Sequence, residues 1–263
     1  MMVIGLLLQS CNDVEKRTLH AALQGDWVGD GVDEVMLIQQ DEIVEHQPWL
    51  VKSFEPFNIR DNEIVIDSIR WKKRKEIKKY KFDVRYSIES LVKDTLILNR
   101  YTVGDTSNKK KLRLVRLKRH YQYDFKRLSI SSSPCLGGCP VFQVEITSDG
   151  SVAFQRNYSA EGMKNYVGNL KDTAMQLIRS QVDKVHWDSL EQNYYASISD
   201  TQYFNIEMET MDSKKYVLST NSPESKSINI LIFRTFKIVE QSELARVDEQ
   251  LEFSTDVKDD QRR

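Results

Sequence analysis

The sequence predicts an α+β protein in two units: an antiparallel β-barrel or sandwich over residues 23–122, then an antiparallel sheet with two helices over residues 123–245. Three observations lead there. The chain has 263 residues, more than the ~150 that loosely define one domain. Short segments of alternating polarity recur every ~8–12 residues in the first half, with almost no helical period. Helical periodicity appears only after residue 170, in two stretches. Hydrophobic residues make up 40% and aromatics 10%, enough to build cores, which excludes whole-chain disorder. The formal charge of −1 selects neither nucleic acid nor an acidic surface.

The chain opens with an apolar run to Leu8, continues Gln9-Ser10-Cys11 and turns polar at Asn12-Asp13. This stretch resembles a bacterial lipobox. Leu8 fits the apolar subsite, Ser10 is small beside the cut, Cys11 offers the sulfur, and Gln9 departs from the usual pattern. The resemblance implies a lipoprotein: signal peptidase cuts before Cys11, whose thiol carries lipid. Several acyl chains are implied, since one alone holds only marginally. A full secretory signal also needs a cationic start and about 7–15 apolar residues. No Lys or Arg precedes Cys11 and the apolar stretch is barely long enough, so the expected start of translation lies upstream of Met1. On the residues alone, a frayed apolar N-terminus with a buried thiol is the other reading. Residues 1–22 are therefore a signal remnant and a tether, with one or two helical turns leading into the fold. The expected location is the bacterial cell envelope, membrane-anchored and facing the periplasm or the exterior.

Within 23–122, Val35 to Ile38, Glu42 to Val44 and Ile64 to Ile66 read as strands. Asp61-Asn62 is a turn, and Pro48 and Pro56 place edges or turns around Trp49 to Phe54. Tyr80, Phe82, Val84, Tyr86 and Ile88 alternate with polar residues, giving one dry and one wet face. Thr95 to Tyr101 and Leu112 to Leu117 complete the set, separated by a polar turn expected over Gly104 to Asn108. About eight short strands suit an up-and-down barrel or a sandwich. Leu23-Gln24-Gly25-Asp26-Trp27 resembles the Gly-x-Trp start of lipocalin-like bacterial domains. That resemblance implies that Trp27 closes the barrel floor and that the interior could carry a small apolar ligand. Small barrels are equally filled by their own side chains. The basic runs Lys72 to Lys75, Lys78-Lys79 and Lys109 to Lys111 read as solvated edges that discourage strand pairing. Contact with anionic lipid head groups is their other reading, and no nucleic acid is expected.

Residues 123–245 begin with a strand, Phe125 to Ser131, followed by the loop Pro134-Cys135-Leu136-Gly137-Gly138-Cys139-Pro140. Val141 to Thr147 and Val152 to Asn157 form a hairpin about Asp149-Gly150, residues that tolerate positive φ. Lys164 to Leu170 is a further strand. A helix follows, capped by Asp172, with Ala174, Leu177, Ile178, Val182 and Val185 on its apolar stripe. A second hairpin from Gln202 to Ser219 turns at Asp212-Ser213. The last helix starts at Ser222-Pro223-Glu224, with Ile228, Leu231, Ile232, Thr235, Ile238 and Val239 on one face. Residues 246–263 are a charged tail expected to fray. The order of cysteine loop, Val-Phe-x-Val strand, Asp-Gly turn and later helices resembles an uncharacterised domain family of bacterial envelope proteins. The family implies an architecture and a compartment, and no activity.

Cys135 and Cys139 are the chemically unusual pair. In an oxidising periplasm the simplest expectation is a disulfide pinning the loop. The alternative is thiol-redox or Cu(I) binding, which suits soft thiolates, although a strand follows the motif where a thiol-activating helix would stand. No Gly-x-Ser-x-Gly, phosphate-binding glycine loop or His-Glu-x-x-His pattern occurs, and His20, His46, His120 and His186 form no zinc spacing. Glu207 and Glu209 alternate with Ile206 and Met208 as a solvent side would, and Trp71, Trp187, Tyr194 and Tyr195 read as core or rim. No catalytic residue, metal ligand or cofactor is expected. The functional expectation is a non-catalytic binding or interaction protein at the membrane surface.

Overall fold

The computed structural model describes residues 17–29, 34–39, 42–46, 55–66, 84–119, 121–135, 139, 141–158, 162–190, 193–194, 202–221 and 226–253. They fall into two compact units that divide between Leu117 and Lys118, close to the expected boundary after 122. Cys11, Trp71, the basic runs at 72–75 and 78–79, Tyr80, Phe82, His120, Tyr195 and Ser222 to Glu224 lie outside the described residues.

In the first unit a helix, α1 (17–23), leads into eight strands: β1 (Gly25–Gly29), β2 (Val35–Gln39), β3 (Glu42–His46), β4 (Glu55–Arg60), β5 (Glu63–Ile66), β6 (Val84–Val92), β7 (Thr95–Thr102) and β8 (Asp105–Arg116). Each pairs antiparallel with the next, and β8 returns to β1, closing an up-and-down barrel. Closure leaves no open sheet edge. The turn at Asp61-Asn62 is built as expected, with φ of 47° and 64° at its two residues. Pro56 stands near the start of β4, where it pairs with Glu42 of β3.

The polar turn expected over Gly104 to Asn108 is shorter than that. Thr102 pairs with Asp105, Gly104 takes φ 88°, and β8 begins at Asp105. Glycine's freedom at positive φ lets two residues reverse the chain, so the residues that read as turn extend the ribbon. Lys109 to Lys111 consequently lie within β8. Lys110 pairs with Glu34 at 3.1 Å and Lys111 with Glu89 at 2.6 Å.

The barrel interior is packed with apolar side chains from every strand, including Met36, Ile43, Phe57, Ile64, Tyr86, Leu98 and Leu114. Trp27 and Leu23 are fully buried among them, and Leu19 of α1 packs against the same cluster. The Trp27 indole N–H donates to the Leu23 carbonyl at 2.7 Å, giving a buried polar group its partner.

The second unit is a two-layer α+β arrangement. Its sheet contains β9 (Phe125–Ser132), β10 (Val141–Thr147), β11 (Ser151–Tyr158), β12 (Gly162–Asn169), β13 (Asn193–Tyr194), β14 (Phe204–Thr210), β15 (Lys215–Thr220) and β16 (Ala245–Val247). The spatial order is β13-β15-β14-β9-β10-β11-β12-β16, antiparallel except for the short β13–β15 pair. Two helices, α2 (Asp172–Val182) and α3 (Lys226–Gln241), pack on one face. There Phe236 of α3 meets Phe142 and Phe154 at ring separations of 4.6 and 6.2 Å. Ile130, Val144, Ile206 and Leu218 are buried on that side.

Three local expectations differ. Asp172 is the first residue of α2, not its cap; Lys171 holds that position without a side-chain bond. Its carboxylate still lies beside the positive helix end. Leu177 is exposed, and α2 instead buries Met175, Ile178, Gln181 and Val182. The stripe is rotated because Met175 and Ile178, three apart, share the sheet-facing side. The chain after Arg246 does not fray at once: Arg246 and Val247 belong to β16, paired to Tyr166 and Asn165 of β12.

Candidate functional site

A strand in a two-layer sheet sends alternate side chains to opposite faces. In the C-terminal unit the even-numbered residues of β10, β11 and β14 face the helices, and the odd-numbered ones form a second face that no described helix covers. The pairing register aligns that second face into rows, because residues directly opposite on neighbouring strands share a side. One row is Asn165-Gln155-Gln143-Ser131-Asn205-Ser219, drawn from β12, β11, β10, β9, β14 and β15. All six side chains are uncharged and carry hydrogen-bonding groups. Five intervals between strands make the row roughly 24 Å long.

The row is partly knit together. Gln155 Nε2 donates to Asn165 Oδ1 at 3.0 Å, and Ser219 Oγ donates to Asn205 Oδ1 at 2.6 Å. Asn165 Nδ2 donates to the Glu249 carbonyl at 2.6 Å. At the centre stands Ser131, only 1% exposed, whose hydroxyl has no hydrogen-bond partner among the described residues. A buried hydroxyl without a partner is uncommon in folded proteins and calls for an explanation.

Next to this row charged side chains pair with one another. Arg127 Nη2 reaches Glu207 Oε1 at 2.5 Å and Glu209 Oε2 at 3.1 Å. Lys126 binds Glu209 at 2.9 Å and Lys215 lies 3.7 Å from Glu207. The Lys126 ammonium holds the Glu209 carboxyl below the ordinary carboxylate range. Glu207 and Glu209 are thus structural partners of Arg127. They are not the free solvent side that their alternation suggested, since their side chains are 12% and 10% exposed.

The β9–β10 loop carries the cysteine pair. Cys135 and Cys139 are joined by a disulfide with Cα atoms 5.5 Å apart, as the oxidised reading of the motif required. Ser132 Oγ accepts from the Phe142 N–H at 2.9 Å, closing the loop at its base. Ser133 Oγ accepts from the Tyr203 N–H at 2.9 Å, the Ser133 N–H donates to the Tyr203 carbonyl at 2.8 Å, and Gln202 Nε2 donates to the Ser133 carbonyl at 3.1 Å. The pairing of β9 with β14 thereby continues one step beyond the strands. Alternation carries Tyr203, 38% exposed, to the side of Asn205.

A second polar cluster lies by the short helical turn Trp187–Ser189. Asp188 accepts from Lys214 at 2.5 Å, from the Tyr216 hydroxyl at 2.9 Å and from the Tyr123 hydroxyl at 3.3 Å. These donors, Lys214 first, hold its carboxyl below the usual range. Burial, then the nearby Asp188 charge, pushes the Tyr123 phenol up to about 12. His186 stacks on Tyr121 at 4.4 Å, and Trp187 is buried with its N–H on the Val182 carbonyl at 3.1 Å. The bonds of Asp188 to Lys214, Tyr216 and Tyr123 make the cluster a fastening of the turn to the sheet.

The residues expected to matter are therefore dispersed. Trp27 belongs to the barrel core, Cys135 and Cys139 close a loop in the other unit, and Cys11 falls outside the described residues. Among the described residues no three His, Cys, Asp or Glu side chains converge as a metal cluster, and no helix is long and apolar enough to cross a membrane. The uncharged row went unnoticed in the sequence because its members come from six strands and meet only through register. The comparisons with curated proteins and with solved structures return no match. Residues 126–238, which span β9 through most of α3 and hence the whole row, match the family described as a domain of unknown function, DUF6438.

Proposed function

We propose that this is a lipid-anchored protein of the bacterial cell envelope with a non-catalytic binding role, its C-terminal sheet presenting the uncharged row as the recognition surface. The observation that carries the reading is the Cys135–Cys139 disulfide. Such bonds persist in oxidising compartments outside the cytosol. This one closes a loop whose base is fastened by Ser132, Ser133 and Gln202. The Leu8-Gln9-Ser10-Cys11 stretch supports anchorage through Cys11. The barrel is read as a lipocalin-like unit.

The alternatives receive less support. A thiol-redox or Cu(I) role for Cys135 and Cys139 would draw on a helix after the motif, and β10 follows it instead. A carrier of a small apolar ligand would need room inside the barrel, whose described interior is packed. Metabolic labelling with palmitate tests the reading: the wild-type chain takes up label and partitions with membranes, and Cys11→Ser does neither. Equal labelling of both, or none of either, contradicts it.

A further inference from the structure

We propose that the free edge of β15 takes up an extended segment of another protein as an added strand, with an acidic and a β-branched residue, two apart, facing Lys215 and Val217. The proposal concerns the edge of the sheet. It goes beyond the reading above and does not depend on the anchor at Cys11.

The hairpin joining β14 to β15 fixes which backbone groups of β15 are used. The Thr210 N–H donates to the Lys214 carbonyl at 2.9 Å, and bonded pairs alternate along an antiparallel ladder. Tyr216 and Leu218, opposite Met208 and Ile206, therefore bond to β14. Lys215 and Val217 aim their N–H and C=O groups away from it. On that outer side β13 pairs only with Ser219 and Thr220. Among the described residues no strand fills the lane beside Lys215 to Leu218, a length of about 13 Å.

Three features suit this lane to a guest strand. Its far end is already filled by strand addition, since β13 is a two-residue strand laid parallel on β15. A groove of about 250 Å³, formed by Trp187, Asp188 and Leu190 with Lys214 to Leu218, adjoins the lane and gives room for side chains. The edge lysines, which ordinarily discourage pairing, are drawn to the sides of the strand. Lys214 is bonded to Asp188 at 2.5 Å, and the Lys215 ammonium leans over β14 to within 3.7 Å of Glu207.

The side chains bordering the lane define the guest. Residues directly opposite on neighbouring strands share a face, so two guest residues, two apart, lie beside Lys215 and Val217. Glu207 is held more closely by Arg127, at 2.5 Å, which leaves Lys215, 57% exposed, open to a carboxylate. Val217, equally exposed, favours a β-branched neighbour. A second copy of this chain fits less well. Paired antiparallel about Val217, its own Lys215 would lie opposite Ser219, where β13 already stands.

The test is amide hydrogen exchange, read by NMR on the purified full chain, with the blocked hexapeptide Thr-Val-Thr-Glu-Thr-Val as probe. Its Glu has a Val two residues away on either side, so it suits both strand directions. The peptide should slow exchange at Lys215 and Val217 saturably and leave Tyr216, already bonded to β14, unchanged. Val217→Pro removes one outward N–H and none of the bonds to β14, and should weaken binding about tenfold. Lys215→Glu should weaken it as much and transfer the preference to the peptide with Lys in place of Glu. Circular dichroism should match wild type in both variants. The proposal is overturned if the peptide protects neither amide, if Val217→Pro binds it as tightly as wild type does, or if wild type binds the Lys peptide equally well. A concentration-dependent dimer abolished by Val217→Pro would also overturn it, by assigning the edge to a second copy.

Discussion

The guanidinium of Arg116 lies 4.2 Å from the centroid of the Trp27 indole. From the same position it donates to the Ala22 carbonyl at 2.6 Å and to the Gln24 carbonyl, and its Nε lies 3.7 Å from Asp94. One side chain at the end of β8 thus covers the buried tryptophan and satisfies carbonyls that α1 leaves at its C-terminal end. Arg116→Ala should cost about 2 kcal/mol, combining a partly desolvated cation–π contact with charge-assisted bonds to carbonyls. Arg116→Lys should recover only part, since an ammonium lacks the planar fork. Urea denaturation followed by fluorescence checks both.

Trp27→Phe keeps an aromatic ring in the core and removes the bond to the Leu23 carbonyl. The expected loss is about 1–3 kcal/mol, the cost of leaving a buried acceptor unpaired. Trp27→Ala should cost more, about 3–5 kcal/mol, through the cavity it leaves. Thermal unfolding of the two variants gives the ranking; equal losses would mean that the indole N–H contributes nothing beyond bulk.

The disulfide spans five residues, Cys135 to Cys139. Loop closure this short removes about 2 kcal/mol of chain entropy from the unfolded state. The double substitution Cys135→Ser with Cys139→Ser should therefore lower stability by about that amount without unfolding the unit, because Ser132 and Ser133 still hold the loop base. Denaturation of this variant, compared with wild type under reducing conditions, should give matching midpoints.

Arg127 separates two carboxylates that would otherwise face each other half-buried on β14. Arg127→Ala should destabilise by about 2 kcal/mol, less than a fully buried pair would show because water reaches the site. The loss should shrink in acid, where a protonated Glu209 no longer repels its neighbour. Stability curves at neutral and acidic pH check the direction.

The Asp188 cluster carries a pH signature at both ends. Its carboxyl is depressed by Lys214 and Tyr216, so its contribution is present above the ordinary carboxylate range near about 4 and disappears as pH falls through the folded value. Tyr123 is raised to about 12, so its contribution is present below the free phenol value of about 10 and disappears as pH climbs toward 12. Asp188→Asn should flatten both limbs. Ultraviolet titration of tyrosinate should show one phenol fewer at the alkaline end in Tyr123→Phe.

The sequence disclosed most where one physical signal acts alone. Alternation at Val84, Tyr86 and Ile88, and the turn-forming residues Asp61-Asn62 and Asp149-Gly150, marked strands and turns that the structure contains, with positive φ at Asp61, Asn62 and Gly150. Signals that depend on long-range register were invisible. Nothing near Gln143 in the chain indicates that Ser131 and Gln155 flank it and that Asn205 stands one strand beyond. Glu207 and Glu209 looked solvated because Arg127, their partner, is some eighty residues away. The start of β8 was misplaced because Asp105 to Asn108 have turn-forming side chains, and pairing with β7 overrode that local preference.

The claim on which the account depends is that this chain matures outside the cytosol. Intact-mass measurement of the protein taken from cells alkylated before lysis addresses it most directly. The expected species begins at Cys11, carries acyl mass, and leaves Cys135 and Cys139 unalkylated until a reductant is added. A species that retains Met1 and takes up alkyl groups on all three cysteines would contradict it.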